Sequence, residues 1–329
     1  MKEKTEGKAC MEQKKEERSL RERIGLSVAP ADPASLVGML IEIEEAGVDH
    51  IWVGGPPWNP DLLTILAAAA MRTTRLTLGT AIVQIFSRHP VLLAQQALSF
   101  SVLAPGRLRL GIGTSSPALA KQMYGVEMEP PLAYLREYVE VLRPLLQQGE
   151  VHHQGRYFTV DAKLPASSQV PLLIAALGPV AFRLAGEIAD GALPALCPIP
   201  YLLNTALPTL STGAVAGGRS RPPIVAHVPV VLTEDRETAF QVGQQPIRFH
   251  ASLPTYRKMF LAAGFAEQEI TEVSDRLIES LIVFGDESKI RDHLLELLST
   301  DIDELTLSLI SVSDPAQEQL RLARLIGHL

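Results

Sequence analysis

Short apolar runs rich in Val, Ile and Leu alternate with longer amphipathic runs from Ile24 to the last residues of the chain. This alternation is typical of strands that are each followed by a helix, an arrangement that builds a parallel sheet. Most of the short runs are continuously apolar, as expected for strands covered on both faces. Eight segments fit this pattern: IGLSVA (from Ile24), HIWVG (His50), LTLGTAIV (Leu76), RLRLGI (Arg107), PLLIAA (Pro171), GALPAL (Gly191), IVAHVPVVL (Ile224) and ELTLSLI (Glu304).

Eight such units predict an α/β fold, specifically a TIM (β/α)8 barrel with insertions, in which catalytic groups follow the C-terminal ends of the strands. The clearest helical segment is DPASLVGMLIEIEEAG, where Asp32 or Ser35 can cap the start and Gly47 ends the helix. Further helices are predicted in HPVLLAQQALSFSVL, GPVAFRLAGEIADG and DESKIRDHLLELL.

Two insertions interrupt the repeat. EVHHQGRYFTV is predicted as a hairpin with Gln154 and Gly155 at its turn, and a longer segment from about 242 to 282 contains its own helix around PTYRKMFLAAG. Insertions at such places usually cover or shape a pocket. Because neither an internal repeat nor a low-complexity linker divides the chain, we predict one domain over residues 24–329.

Composition restricts the class of function. The chain is 47% hydrophobic, enough for a sizeable core, and its formal net charge of −7 argues against nucleic acid as a partner. No apolar run free of charge, Gly and Pro is long enough to cross a membrane. Residues 1–23 form a charged extension, expected to be disordered or helical, without the apolar region of a secretory signal. We therefore expect a cytoplasmic protein.

Motifs of other enzyme classes are absent or incomplete. GIGTSSP lacks the third glycine of a dinucleotide fingerprint, no G-x-S-x-G elbow occurs, and neither His152-His153 nor the two cysteines, Cys10 and Cys197, have metal-site or disulfide spacing. We expect no metal. Gly111 and Gly113 can instead let a flat or phosphorylated group approach the strand end, or merely allow tight packing.

A second glycine segment, LGPVAF, follows the fifth predicted strand and opens a helix. Pro179 suits the first helical turn, and the free N–H groups at a helix start bind anions readily. The segment therefore predicts a phosphate site, although a simple connection between strand and helix would explain the same residues.

Three longer segments resemble the luciferase-like monooxygenase superfamily: LGTAIVQIFSRHPVLLAQQALSFSVLAPGRLRLGIG, YGVEMEPPLAYLREYVEVLRPLLQQGEVHHQGRYFTV and PLLIAALGPVAFRLAGEIADG. The last two look most like its deazaflavin-dependent branch, which uses coenzyme F420. The resemblance runs from about Ile24 to the final helix. It implies a TIM barrel, usually dimeric, with the flavin or deazaflavin across the C-terminal strand ends.

The resemblance also implies positions for the cofactor. The ring would lie beside Ala81 and Ile82, where family members have a bulge with a cis peptide, so we predict a cis bond between these two residues. The positions expected to bind the cofactor are Gly54, Gly55, Ala81, Ile82, Gly111, Ile112, Gly113 and Thr114, with Ala175, Ala176, Leu177, Gly178 and Pro179 around the phosphate and tail.

The stretch HIWVGGPPWNP departs from the family pattern. Several deazaflavin enzymes carry an Asp-His or similar polar pair after the second strand, where this chain has Gly54-Gly55-Pro56-Pro57. We expect an oxidoreductase that transfers a hydride between F420 and a small organic substrate. The alternatives are an FMN-dependent luciferase-like monooxygenase and a non-catalytic flavin-binding protein. Candidate catalytic or pocket residues are Trp58, Ser115, Ser116, Tyr201 and Tyr256, and a homodimer is expected.

Overall fold

The computed structural model describes residues 19–29, 32–56, 58–127 and 129–329. Within these residues, ten strands form one sheet and two form a separate hairpin. The strands are β1 (Ile24–Val28), β2 (His50–Val53), β3 (Thr77–Thr80), β4 (Val83–Gln84), β5 (Leu108–Gly113), β6 (Glu150–Gln154), β7 (Thr159–Lys163), β8 (Leu172–Ala175), β9 (Gly191–Leu193), β10 (Val225–Val231), β11 (Val283–Phe284) and β12 (Glu304–Leu309).

The large sheet is parallel and curled. Its order is β11-β10-β12-β1-β2-β3-β5-β8-β9, with β4 beside β5, and every neighbouring pair is parallel. Arg109 on β5 forms an ion pair of 2.6 Å with Glu304 on β12, although three strands lie between them in the sheet. One isolated parallel bridge joins Ala192 to Ile224. The eight predicted strands are confirmed, and so is the α/β class with a parallel sheet.

Helices alternate with the strands as predicted. Asp32 caps the first helix, accepting a hydrogen bond of 2.7 Å from the Ser35 N–H, and that helix ends shortly before Gly47. The helices are α1 (Pro33–Glu45), α2 (Leu62–Ala70), α3 (Pro90–Leu103), α4 (Pro117–Tyr124), α5 (Pro131–Gln147), α6 (Pro179–Ile188), α7 (Ile199–Tyr201), a π-helical turn (Leu202–Ala206), α8 (Leu207–Ala216), α9 (Arg236–Ala251), α10 (Pro254–Ala262), α11 (Glu267–Glu272), α12 (Asp275–Glu279), α13 (Glu287–Ser299) and α14 (Pro315–Gly327).

Both predicted insertions are present. EVHHQGRYFTV forms the antiparallel pair β6–β7, in which Gln154 pairs with Thr159 and the Gly155 N–H donates to the Phe158 carbonyl at 2.9 Å. The longer insertion is helical: it includes the end of α9, all of α10 to α12, and the predicted helix around PTYRKMFLAAG as α10.

The buried side chains form two clusters. The larger lies between the sheet and its helices, as expected for strands covered on both faces. The smaller, which we call the interior plug, consists of Trp52, Leu173, Leu193 and Val225. These residues come from β2, from the neighbouring strands β8 and β9, and from β10; because β2, β8 and β10 are separated from one another in the sheet, the interior plug lies on its concave face. The Arg109 guanidinium carbon lies 4.7 Å from the centre of the Trp52 ring.

The N-terminal prediction falls mostly outside the described residues, because residues 1–18 are not among them. Arg21–Arg23 form a short 3-10 turn before β1. Arg23 is buried and donates to the carbonyls of Asp303 at 2.9 Å, Leu298 at 3.1 Å and Ile302 at 2.9 Å. Arg23, one residue before the boundary predicted at Ile24, thus already packs into the fold. Among the described helices, none is long and apolar enough to cross a bilayer.

Candidate functional site

The C-terminal strand ends approach one another closely at the predicted cofactor positions. A Cβ added at Gly113 would lie 2.4 Å from Ile82 Cδ1 and 2.9 Å from Ala175 Cβ. One added at Gly111 would lie 2.0 Å from the Thr80 carbonyl oxygen. Neighbouring protein atoms therefore already take up the space that a side chain would need at either glycine, as the tight-packing alternative predicts. The ends of β3, β5 and β8 therefore meet here, and the structure brings Ile82, Gly113 and Ala175 together as the resemblance implies.

The bulge after β3 breaks the run that the sequence predicts as one strand. The peptide bond between Ala81 and Ile82 is cis, which confirms the prediction. Ala81 donates its N–H to the Val53 carbonyl at 2.8 Å, and a Cβ at Gly54 would meet the Ala81 carbonyl oxygen at 2.1 Å. Gly54 therefore acts by letting the chain after β2 pass close to the bulge.

The segment after β8 has the geometry of an anion cradle. No atom lies within 4 Å of a Cβ added at Gly178, so its α-carbon faces open space. The N–H groups of Ala181 and Phe182 donate to the Gly178 carbonyl, at 3.0 and 3.1 Å. Among the described residues, no acceptor is found for the N–H groups of Gly178 and Val180. Two donors therefore remain available at the start of α6, where Pro179 occupies the first helical position.

Tyr201 holds this cradle in place. Its hydroxyl donates to the Leu177 carbonyl at 2.9 Å, and the side chain is buried. Burial, with Cys197 as a second cause, raises the pKa of Tyr201 to about 12. The Tyr201 hydroxyl, a catalytic candidate from the sequence, thus has its proton engaged by the Leu177 carbonyl. Its position beside Gly178 makes it a positioning residue.

Three consecutive hydroxyls follow β5. Thr114, Ser115 and Ser116 are half-buried, and within the described part of the chain their hydroxyls have no hydrogen-bond partner. Ser115 has a positive φ of 50°, a conformation that few residues other than glycine adopt. Pro117 then opens α4. Thr114, Ser115 and Ser116 are therefore free to bind a polar group of a ligand.

Trp58, Gly55 and Tyr256 are the remaining candidates. Trp58, a candidate catalytic or pocket residue, is 61% exposed. Gly55 accepts a hydrogen bond of 3.2 Å from the Gln84 side chain. Tyr256 lies on the insertion helix α10 with its ring centre 4.9 Å from that of His250, and burial raises its pKa above the ordinary value. It stays a candidate for the substrate side of the pocket.

His227 is a site residue that the sequence analysis included only as part of a predicted strand. His227 lies on β10, and its Nε2 is 2.8 Å from the Ser308 hydroxyl on β12. Burial, with His250 as a second cause, lowers the pKa of His227 to about 4, so the imidazole is neutral near pH 7. The signal that could have found it is a lone ionisable residue in the apolar run IVAHVPVVL. No group of three His, Cys, Asp or Glu side chains within the described ranges is arranged to hold a metal.

Known proteins share both the sequence and the architecture. The chain is 29% identical over 312 residues to an F420-dependent glucose-6-phosphate dehydrogenase of Segniliparus rotundus, covering 88% of this chain and 90% of that protein. It is 24% identical over 319 residues to 5,10-methylenetetrahydromethanopterin reductase of Methanopyrus kandleri, covering 86% and 91%.

Solved structures share the fold. The structure of an F420-dependent secondary alcohol dehydrogenase, in complex with an F420–acetone adduct, matches with a TM-score of 0.77 at 20% identity, over 93% of this chain and 97% of that one. The sequence model of the luciferase-like monooxygenase family matches residues 19–304. That match spans most of the chain and every strand end described above except the last. The protein belongs to the luciferase-like monooxygenase family.

Proposed function

We propose that the protein is an oxidoreductase that transfers a hydride between coenzyme F420 and a small organic substrate. The observation that carries this proposal is the open cradle at Gly178, beside strand ends that approach one another closely at Gly111 and Gly113, in a chain similar to an enzyme named as F420-dependent. When bound, F420 would supply the ring carbon that accepts or donates the hydride.

The residues of this chain would hold and orient the cofactor. Ala81 and Ile82 at the bulge, with Gly111 and Gly113 on the neighbouring strand end, would bound the face of the ring. The free N–H groups of Gly178 and Val180 would bind the phosphate, supported by the three hydroxyls after β5. Hydride transfer depends mainly on such positioning and on exclusion of water.

We further propose that the curled sheet closes into an eight-stranded TIM barrel. The bridge between Ala192 and Ile224 supports closure, because it joins β9, at one end of the sheet, to the start of β10 near the other. The hydrogen bond of 2.9 Å from the Ala192 N–H to the Pro223 carbonyl supports the same contact. Slow hydrogen exchange at the Ala192 amide is expected, and fast exchange there would contradict closure.

FMN is the alternative cofactor, favoured by the fold of FMN-binding neighbours. A Baeyer–Villiger monooxygenase of Pseudomonas putida in complex with FMN matches with a TM-score of 0.72 at 16% identity, over 93% of this chain and 96% of that one. Calorimetric titration with each cofactor separates the two. Micromolar FMN binding without detectable F420 binding would contradict our proposal. F420 binding without turnover, measured with a panel of enones and alcohols, would indicate a non-catalytic binding protein.

The Gly178→Val variant tests the cradle. We expect cofactor affinity to fall by about 1–3 kcal/mol, the scale of a lost hydrogen bond to a charged group, because the added side chain would occupy the space where phosphate approaches. Stability should change little, since Gly178 has φ −96° and ψ 163°, which any residue adopts. Gly38→Val is the matched control. A Cβ at Gly38 also meets open space, but Gly38 lies on helix α1 and not at the start of α6. Equal affinities for the two variants would place the phosphate elsewhere.

We propose that the protein forms a homodimer through α3 and the end of α2. Val102 is 72% exposed, and so are Leu103 beside it, Leu92 at the start of the same helix and Met71 directly after α2, to smaller degrees. Val102→Glu should convert dimers to monomers in light scattering. Val215→Glu should not, although Val215 on α8 is equally exposed. A monomeric wild-type protein would contradict the proposal.

We also propose that the dimer acts in the cytoplasm on a small-molecule substrate, without nucleic acid or membrane partners. The free, buried Cys197 thiol supports a reducing compartment, and the net charge of −7 disfavours binding to nucleic acid. Fractionation of cells that express the protein tests the location.

A further inference from the structure

His227 is a polar residue on the concave face of the sheet, between the interior plug and the C-terminal strand ends. His227 is two residues beyond Val225, a member of the interior plug, on β10. Residues two apart on a strand share a face and are separated by about 6.5 Å. His227 therefore lies one step closer to the C-terminal strand ends than the interior plug does.

The strand beside it presents its side chains to the same space. Glu304 on β12 pairs with Arg109, which packs on Trp52 of the interior plug, and Ser308 bonds to His227. Thr306 lies between Glu304 and Ser308 on the same face of β12, and it is the register partner of His227. His227, Thr306 and Ser308 therefore form one cluster, which we call the polar floor.

Two atoms of the polar floor are buried without a hydrogen-bond partner among the described residues. They are His227 Nδ1 and Thr306 Oγ1. Leaving a buried polar atom unpaired costs about 1–3 kcal/mol, so two such atoms on adjacent strands call for a bound group that satisfies both. A substrate oxygen would satisfy both, because Nδ1 and a hydroxyl can each donate or accept.

We propose that the polar floor binds the oxygen of an uncharged alcohol or of the matching carbonyl compound, and that His227 Nδ1 takes up the hydroxyl proton when the alcohol is oxidised. This inference rests on the proposed function. It supplies the acid–base group that is missing after β2, where Gly54 and Gly55 stand.

A bound oxidised deazaflavin would supply the hydride acceptor. As the substrate C–H and O–H bonds break, the hydride would leave with that cofactor and the proton would pass to His227 Nδ1, leaving a C=O group. The Nε2–H proton then moves to Ser308 Oγ, 2.8 Å away, and the hydroxyl proton of Ser308 passes to solvent. The reduced cofactor takes its second proton from solvent. In the reverse direction, Nδ1–H donates to the ketone oxygen.

The surroundings favour an uncharged substrate. The neutral state of His227 suits a hydroxyl or carbonyl group better than a carboxylate or phosphate, since a neutral imidazole carries no charge that balances an anion. The next positions on the same strand faces are Pro229 on β10 and Ile310 after β12, and both are uncharged.

The variants His227→Asn and Ser308→Ala test the proposal, with His293→Asn as the matched control. His293 is an exposed imidazole on α13, outside the polar floor. With cyclohexanol as substrate, we expect kcat for F420 reduction to fall at least 100-fold in His227→Asn, the scale of lost acid–base catalysis. His293→Asn should stay within threefold of wild type. All variants should bind F420 with unchanged affinity in fluorescence titration.

A second measurement needs no cofactor. In protein labelled with ¹⁵N-histidine, cyclohexanol and cyclohexanone should each shift the Nδ1 resonance that is missing in His227→Asn. If wild-type protein does not bind F420, the proposed function is wrong. The NMR titration with cyclohexanol and cyclohexanone would still test the substrate site. If F420 binds but neither compound shifts Nδ1, or if His227→Asn keeps its kcat within threefold, our inference is wrong.

Discussion

Hydrogen bonding separates the polar side chains near the site into those that are engaged and those that are free. The Tyr201 hydroxyl donates to Leu177, so its proton is committed to the segment that carries Gly178. By contrast, His227 Nδ1 and the hydroxyls of Ser115 and Ser116 have no partner in the described part of the chain. The engaged residue positions the cradle, and the free ones are available to ligands.

Replacing Tyr201 with Phe removes one hydroxyl and keeps the ring. The free energy of unfolding should fall by about 1–2 kcal/mol, because the Leu177 carbonyl loses its partner in a buried place. F420 affinity should fall several-fold, since Leu177 adjoins Gly178. Urea unfolding and fluorescence titration measure the two effects. Tyr256→Phe is the control, because no hydrogen bond of its hydroxyl is found among the described residues, and equal losses in both variants would contradict this role.

One carboxylate of α5 binds the turn of the β6–β7 hairpin. Glu137 accepts hydrogen bonds from the N–H groups of Arg156 at 3.1 Å, Tyr157 at 2.8 Å and Phe158 at 2.7 Å, and contacts His153. Burial opposes the charge, but these backbone donors and His153 outweigh it and hold the pKa of Glu137 below its ordinary value. The turn has no sheet neighbours other than its own strands, so this carboxylate, together with the rings of α5 that pack on Phe158, fixes its position.

Glu137→Gln should therefore destabilise the protein by about 1–3 kcal/mol at pH 7, since an amide is a weaker acceptor than a carboxylate. A lowered pKa stabilises the folded state above the ordinary carboxyl pKa of 4.5, and that contribution is lost as pH falls through the folded-state value. The difference between wild type and variant should thus shrink in urea unfolding below about pH 4.5. Glu140→Gln, on the exposed side of α5, should show no effect at either pH.

One buried ion pair links distant parts of the whole sheet. Arg109 and Glu304 lie 195 residues apart in the chain and join β5 to β12 across the concave face, with Trp52 beneath the guanidinium. Both side chains are largely buried, so the pair is protected from solvent screening. It lies on the far side of the interior plug from the polar floor and therefore contributes to the fold instead of to substrate binding.

Glu304→Ala should cost about 3–5 kcal/mol of unfolding free energy, because Arg109 would be left as an uncompensated buried charge. The double variant Arg109→Met, Glu304→Leu should recover most of that loss. Glu234→Ala, which breaks an exposed pair with Lys289, should leave the urea midpoint unchanged. A double variant no more stable than Glu304→Ala would show that the charges themselves are not the cause.

Local features of the sequence determined the strands, the helix caps and the cradle. Strand and helix periods, the Asp32 cap and the Gly178-Pro179 start of α6 each depend on residues within a few positions, and local propensity and capping act over that range. The hairpin followed from the same kind of signal at Gln154 and Gly155.

The family resemblance placed Ala81 and Ile82 correctly, but only the tertiary structure decided which polar side chains meet. His227 and Ser308 are 81 residues apart, and Tyr201 reaches Leu177 across 24. The sequence period tells which residues share a face of a strand, but the stagger of strands in the curled sheet sets which faces meet and at what height. That stagger arises from packing over the whole chain, so the role of Tyr201 and the polar floor could not be read from any local segment.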